Sequence, residues 1–378
     1  MTVLGGLSLI LSLLWATAAH AHGGLVIPPP RNNYNNSDPR EIVHPWTDGR
    51  RLGGPCAGSA CLWFNEGCFS GCPSCIEGFP MLPANFSPSA QKNYYGKPNC
   101  DRPTGPTLPE KYRTWNIKNL SPLSDYTKYH PWRSPGHAPT SDPCGVAGGY
   151  AKPTGGGGET PMGATQGDRG SALPRHAEVR TEWPAGGVAE VGWMLAANHG
   201  GGYLYSLCPA GSELTEACLD QMPLAYADSF HTIRYIAGPE EGTELIINAT
   251  DVSVGTHPVG SAWRVNPIPA CNCDKGFGCS VGGSAEGGDQ AYWNGTNPTP
   301  KGFDCPTGTA FQPPFDYGYG QQLWDLGPGT EPPEAMNTWV IIDHLKVPAA
   351  KGEYVLRWRW DVEQNSQIWS HCADVTIV

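Results

Sequence analysis

Alternating apolar and polar positions are concentrated in two stretches of the chain, residues 177–270 and 338–378. In the clearest case, Arg357 and Arg359 share one face of an extended segment, and Trp358 and Trp360 share the other. Similar runs of β-branched and aromatic residues predict strands at His176–Trp183, Val188–Leu195, Tyr203–Leu207, Ser229–Ile236, Glu244–Val254, Thr338–Val347, Glu353–Trp360 and Cys372–Val378. Short strands with turn residues between them are typical of an antiparallel β-sandwich, so we expect an all-β fold.

The rest of the chain has the composition of loops. Residues 22–176 and 271–335 are rich in glycine, proline and cysteine, and the chain contains 49 Gly and 38 Pro. Such a chain cannot be mostly helical. We expect long loops on one end or face of the sandwich. Because no linker rich in proline, serine or threonine separates a second module, residues 22–378 are predicted to form a single domain.

Charge and hydropathy exclude several classes of partner. Lys and Arg number 24 against 35 Asp and Glu, which gives a net charge of −11 without any basic cluster. Nucleic acids and anionic membranes are therefore poor candidates. Beyond the N-terminus there is no apolar run long enough to span a bilayer, so we expect no membrane segment.

The N-terminus has the pattern of a secretory signal. An apolar stretch, Val3–Trp15, is followed by Ala19-His20-Ala21, which fits the small-x-small rule for cleavage before His22. Residues 1–21 are thus predicted to be a signal peptide and the protein to be secreted; cleavage before His20 is the alternative. An N-terminal His22 would offer an α-amine and an imidazole. With one further histidine these nitrogens suit Cu(II), although a histidine can also occur at this position by chance.

Three residues could complete such a site. His199 follows an apolar strand and precedes three glycines, which allow close approach of backbone or substrate. Gln367 and Trp369 would point to the same side of an extended segment. There an amide could hydrogen-bond an oxygen ligand and an indole could close the axial direction to water. Alternatively, His199 is a solvated loop histidine, Trp369 a core residue and Gln367 an exposed one.

The cysteines and sequons fit an exported protein. All 14 Cys lie beyond the signal segment, and their even number indicates a disulfide framework. Cys208 and Cys218 flank a short loop and are a plausible pair. The dense run from Cys56 to Cys75 could instead hold zinc, and Trp63 and Phe64 within it could stack on a sugar or fill a small core. N-x-S/T sequons begin at Asn35, Asn85, Asn119, Asn248 and Asn294.

Three motifs, in this order, carry a family resemblance that spans residues 22–378. His22-Gly23 followed by Pro28-Pro29-Pro30-Arg31 resembles the opening of the chitin-binding type-4 proteins, the lytic polysaccharide monooxygenases of the histidine-brace type. Ala197–Gly200 through Tyr205–Pro209 resembles their second-histidine segment. Gln367-x-Trp369-x-x-Cys372-Ala373-Asp374-Val375 resembles their last strand, with Trp369 where the family usually has tyrosine or phenylalanine.

The resemblance implies an immunoglobulin- or fibronectin-III-like sandwich with long disulfide-stapled loops. It also implies one copper ion per chain, held by His22 and His199, with Gln367 and Trp369 beside it. The expected activity is oxidative cleavage of an insoluble polysaccharide, chitin or cellulose, by a monomeric enzyme that takes electrons from an external donor. The alternatives are a polysaccharide-binding protein that keeps the copper site but turns over little, and a disulfide-rich wall or matrix protein.

Overall fold

The computed structural model describes residues 22–33, 63–65, 108, 112, 131–138, 140–149, 164–175, 181–197, 200–235, 241–268, 339–363 and 367–378. These residues form strands β1 (His22–Ile27), β2 (Trp63–Asn65), β3 (Val146–Ala147), β4 (Thr181–Trp183), β5 (Val188–Ala197), β6 (Gly202–Pro209), β7 (Phe230–Tyr235), β8 (Glu244–Asn248), β9 (Asp251–Val252), β10 (Trp263–Val265), β11 (Trp339–Lys346), β12 (Gly352–Asp361) and β13 (Ile368–Ile377). A short helix, α1 (Glu216–Leu219), follows β6, and single 3-10 turns occur at Arg31–Asn33, Pro131–Arg133 and Gly170–Ala172.

The strands form two sheets packed as a sandwich, which confirms the all-β prediction. The first sheet has five strands in the order β1-β5-β11-β7-β8, with every neighbouring pair antiparallel. The second has the order β3-β2-β13-β12-β6-β10-β9, and β4 pairs in parallel with β13. Within the described residues, no helix is long and apolar enough to cross a membrane.

The core between the sheets is built from aromatic side chains. Trp193 of β5 is fully buried, and its ring centroid lies 4.8 Å from Tyr203, 5.2 Å from Trp358 and 5.4 Å from Trp360 in the second sheet. Aliphatic side chains such as Ile341 fill the space around the rings. The inward direction of Trp358 and Trp360 is the one that the alternation in β12 predicts.

A buried ionic group beside Tyr203 also joins the two sheets. Asp343 of β11 accepts hydrogen bonds from the Tyr203 hydroxyl at 2.6 Å and from Arg264 of β10 at 2.9 Å. His231 Nδ1 lies 3.2 Å from the same carboxylate. Burial by itself would raise the pKa of Asp343, but its hydrogen bond with His231, the positive charge of Arg264 and the hydrogen bond from Tyr203 lower it overall. The carboxylate therefore stays ionised inside the sandwich.

Two disulfides lie in the described part of the chain. Cys208–Cys218 closes the loop between β6 and α1, which confirms the predicted pair. Cys144–Cys372 ties the segment before β3 to the outer face of β13. The run from Cys56 to Cys75 lies outside the described residues except for β2.

The structure corrects several predicted strands. The segment Glu244–Val254 is two strands, β8 and β9, separated by Ala249 and Thr250. The last strand begins at Ile368, four residues before the predicted start. Strands β1, β2 and β3 lie in a region that we expected to be loop. Of the predicted strand His176–Trp183, residues 176–180 lie outside the described residues.

Candidate metal centre

The first strand places the start of the predicted mature chain beside the segment that leads to His199. β1 pairs antiparallel with β5, and His22 is the register partner of Ala197. A register shift separates His22 from Gly23. His199 itself and the side chain of His22 lie outside the described residues. The nearest described residues in sequence, Ala197 and Gly200, therefore indicate where the chain enters and leaves the segment that contains His199.

Two glycines allow β1 to lie directly on the second sheet. A Cβ on Gly23 would approach Trp360 Cζ3 to 3.0 Å. A Cβ on Gly24 would lie 2.7 Å from Cε1 of His371, a distance that real Cβ atoms do not show. His371 is buried and its ring packs edge-on against Trp358, so it has little room to give way. The pair Gly23-Gly24 is thus required by close packing of the N-terminal strand.

The chain after His199 is fixed by hydrogen bonds to the core. The Gly200 carbonyl accepts a 2.8 Å hydrogen bond from Trp360 Nε1, and the Gly201 carbonyl accepts one of the same length from the backbone N–H of Asn266. Gly201 has φ +80°, and a Cβ there would lie 2.1 Å from the Asp361 carbonyl oxygen. Only glycine satisfies both the conformation and the contact.

Asp361 in turn anchors the end of β12 from the outer face of the second sheet. Its carboxylate accepts hydrogen bonds from Arg359 Nε at 2.7 Å and from the backbone N–H of Gly136 at 2.8 Å. The side chains of Arg359 and Asp361 are both buried. The turn at residues 134–138 is thereby attached to the strand that carries Trp360.

A second ion pair, buried on its arginine side, continues along the same face. Glu216 of α1 accepts hydrogen bonds from Arg357 and from the Thr140 hydroxyl. Burial opposes the charged form, yet the charges of Arg357 and Arg359 and these hydrogen bonds lower the pKa of Glu216 to about 2. The arginines that the alternation of β12 places opposite its tryptophans are therefore neutralised by carboxylates.

The structure brings Gln367 and Trp369 together, as their spacing predicts. Trp369 Nε1 donates a hydrogen bond to Gln367 Oε1 at 3.4 Å, and both side chains are about 1% exposed. The alternative in which Gln367 is exposed is therefore wrong. Trp369 stacks on Phe64 at 4.7 Å between ring centroids and lies 6.5 Å from Trp360. It belongs to the core and, through Trp360, to the end of the sandwich that holds Gly23 and Gly200.

Phe64 and its neighbour Trp63 do not face solvent. They are only 4% and 3% exposed, and β2 pairs with β13 so that Phe64 is the register partner of Trp369. The expectation that they could stack on a sugar is wrong. Both are buried, as the alternative has it, but Phe64 belongs to the main core of the sandwich and not to a small separate core. Asn65, next on β2, accepts hydrogen bonds from the backbone N–H groups of Ser141 and Asp142.

Trp360 is the residue of this end that the sequence did not single out. It contacts Gly23, Gly200 and Trp369, but its only signal in the sequence is its inward place in the alternation of β12. A tryptophan at an inward strand position predicts burial. Its role in fixing the loop at Gly200 depends on tertiary contacts, which the alternation of apolar and polar residues in β12 does not predict.

The donor set of a copper site can be tested against this geometry. Within the part of the chain that the structure describes, no three His, Cys, Asp or Glu side chains are grouped to hold a metal, and this part does not include the His199 imidazole. The nitrogen donors of a brace would come from His22 and His199. The register of β1 with β5 and the anchored Gly200 fit this donor set. No family model matches the chain, and no curated protein matches it.

Proposed function

We propose that this protein is a secreted, copper-dependent lytic polysaccharide monooxygenase that cleaves chitin or cellulose oxidatively. The observation that carries the proposal is the register of β1 with β5, in which His22 pairs with Ala197, two residues before His199. An antiparallel pair keeps opposed Cα atoms about 4.5–5.5 Å apart, so the backbone of His22 lies beside Ala197, from which the chain leads to His199.

The chain supplies rigidity on both sides of the proposed ligands. β1 lies on Trp360 and His371 through its glycines, and the Gly200 carbonyl is bonded to Trp360. A metal site held by supports of this kind keeps its ligand geometry without reorganisation. His22 would bind copper through its α-amine and ring, and His199 through its ring. Bound copper would supply one-electron activation of O2 or H2O2, with electrons from an external donor.

Gln367 and Trp369 would act beside this site. The amide oxygen of Gln367 accepts from the Trp369 indole N–H, which fixes the end of the amide that accepts and the end that donates. The Trp369 ring, stacked on Phe64, is a dry apolar wall that would keep water from one side of the metal. Neither an amide nor an indole titrates near neutral pH, so their roles would be orientation and exclusion of water, not proton transfer.

One observation favours a second candidate function, a polysaccharide-binding protein that keeps copper but turns over little. Trp369 stands where the resembling family usually has tyrosine or phenylalanine, and its indole is bulkier than either ring. Its indole N–H is also already bonded to Gln367. The two candidates share the copper site and differ in turnover.

Three measurements test the proposal. N-terminal sequencing of the secreted protein should begin at His22, since any other start removes the amine ligand. Electron paramagnetic resonance of the Cu(II) form should show an axial, nitrogen-rich spectrum that is lost in His199→Ala. Retention of the same spectrum in that variant would exclude His199 as a ligand.

Turnover separates the enzyme from the binding protein. With ascorbate and chitin or cellulose, mass spectrometry should detect oxidised oligosaccharides from the copper-loaded protein. A matched control is the same protein with one extra N-terminal residue, which blocks the α-amine and should weaken copper binding. If the copper-loaded protein binds the polysaccharide but releases no oxidised product, the result excludes the monooxygenase and supports the polysaccharide-binding protein. Absence of both copper and polysaccharide binding leaves a structural wall or matrix protein.

A further inference from the structure

The sequon Asn248-Ala249-Thr250 lies on an accessible edge of the sandwich. Asn248 is the last residue of β8, and both Asn248 and Thr250 are exposed. β8 is the outermost described strand of the five-stranded sheet and pairs there with β7 alone. The other four sequons, at Asn35, Asn85, Asn119 and Asn294, lie outside the described residues.

Apolar side chains lie on the same face as Asn248. Ile246, two residues earlier in β8, is 64% exposed, which is unusual for a large aliphatic residue in a strand. Phe230 of β7 is the register partner of Asn248 and is half-buried. Between them, Ile247 points the other way into the core. Because strand residues alternate in direction, Phe230, Ile246 and Asn248 share the outer face.

An exposed edge strand such as β8 promotes aggregation unless something covers it. An outermost strand presents unpaired backbone groups to other chains, and proteins usually protect it with charges, prolines or bulges. On β8 the outward-facing residues are Glu244, Ile246 and Asn248, and Glu244 is already paired with Arg234. The half of the strand that ends at Asn248 carries no charge of its own on this face.

We propose that Asn248 carries an N-linked glycan whose first sugar packs on Phe230 and Ile246 and covers the edge of β8. The apolar face of a pyranose is suited to an aromatic and an aliphatic side chain, and the remaining sugars would extend into solvent. The glycan would take the place of the charge or proline that the Asn248 half of β8 lacks.

The modification is a group transfer without redox change. The Asn248 side-chain nitrogen attacks the anomeric carbon of a lipid-linked oligosaccharide pyrophosphate. A C–N bond forms, the C–O bond to the pyrophosphate breaks, and the amide proton and the lipid pyrophosphate leave. The Thr250 hydroxyl, at the second position after Asn248, completes the acceptor sequence. The inference shares with the proposed function only the passage of the chain through a glycosylating secretory route and is independent of copper.

Occupancy is tested on the full chain secreted from a eukaryotic host. Enzymatic release of N-glycans in heavy-oxygen water should convert Asn248 to a labelled aspartate, seen in the tryptic peptide by mass spectrometry. Asn248→Gln and Thr250→Ala should both lose the label, and Thr250→Ser, which keeps the sequon, should retain it. Secreted protein with an unmodified Asn248 would overturn the proposal, whatever its copper content.

Packing of the first sugar is tested by a double-mutant cycle between Asn248→Gln and Ile246→Thr. Ile246 is exposed, so the Ile246→Thr variant should fold, and threonine keeps the β-branched shape of the strand residue. Loss of the glycan should lower the melting temperature more when Ile246 is present than when it has been replaced by threonine. Equal shifts in the two backgrounds would show that the glycan does not pack on this face.

Discussion

The indole nitrogen of Trp360 donates a 2.8 Å hydrogen bond to the carbonyl oxygen of Gly200, the residue that follows His199. The ring of the same tryptophan lies against Gly23, the residue that follows His22. A single buried side chain thus contacts the immediate successors of both proposed copper ligands. Any change at Trp360 should therefore affect the two ligands together.

Trp360→Phe should weaken copper binding and lower stability. Phenylalanine keeps an aromatic ring but removes the indole donor of the buried Gly200 carbonyl, which then relies on the longer, 3.5 Å hydrogen bond from Asn266 Nδ2. One hydrogen bond contributes about 0.5–1.5 kcal/mol to stability. We expect a loss of that size in the free energy of unfolding, from urea titration. Because the loop at Gly200 is then held less tightly, calorimetric copper titration should also show a weaker affinity.

Trp358→Phe is the matched control. Trp358 is equally buried in the same strand, but within the described residues its indole nitrogen has no hydrogen-bond partner. The variant removes a similar volume without breaking a hydrogen bond, so copper affinity should fall less than in Trp360→Phe. Equal losses of copper affinity in the two variants would mean that the Gly200 bond does not fix the site.

Gly24→Ala should displace the N-terminal strand. The added methyl would lie 2.7 Å from His371 Cε1 in a region closed by Trp358, and overpacking of a buried position typically costs about 1–3 kcal/mol. We expect a lower melting temperature together with an altered Cu(II) resonance spectrum. Gly211→Ala is the control, since a Cβ there meets nothing within 4 Å. An unaltered Cu(II) spectrum in Gly24→Ala would show that β1 does not set the ligand geometry.

The sequence predicts the central strands well because their signal is local. Val188–Leu195 and Glu353–Trp360 alternate over enough residues for the period of two to be clear, and both are strands in the structure. The break of Glu244–Val254 into β8 and β9 was missed because Ala249 and Thr250 are neither glycine nor proline and give no turn signal.

The short strands around the site could not be predicted from a period. β1 contains Gly23 and Gly24, which have low strand propensity. It forms because it pairs with β5 and packs against Trp360 and His371. β2 has three residues, too few for alternation to be seen. The placement of Gln367 beside Trp369 was predictable from spacing, whereas the burial of Gln367 depends on contacts distant in sequence.

The two disulfides should differ in what they contribute. Cys144 and Cys372 are 228 residues apart, and Cys208 and Cys218 are 10 apart. In the chain-entropy model, cross-links over loops of these lengths contribute about 5 and about 3 kcal/mol. Replacing the first pair with alanines should therefore lower the free energy of unfolding more than replacing the second pair. The opposite order of the two losses in urea titration would contradict the chain-entropy model for this protein.

Most of the 14 cysteines should be in disulfides, so thiol titration of the denatured, unreduced wild type should find almost none of them free.

The stability of the protein should fall at acid pH through Glu216. Its pKa in the folded protein is about 2, below the value of about 4.3 for an unfolded glutamate. A lowered pKa contributes stability that is fully present above about pH 4.3 and is lost as the pH falls towards 2. Glu216→Gln, which removes the nearer of the two carboxylates beside the buried Arg357, should cost about 3 kcal/mol at about pH 7, since one pKa unit corresponds to about 1.4 kcal/mol. The difference from the wild type should shrink steadily between about pH 4.3 and about pH 2 in urea titrations.

Glu353→Gln is the control, because Glu353 pairs with Arg175 at an exposed position and exposed pairs contribute at most about 1 kcal/mol. A difference between Glu216→Gln and the wild type that stays constant over this range would show that the carboxylate is not held ionised by Arg357 and Arg359.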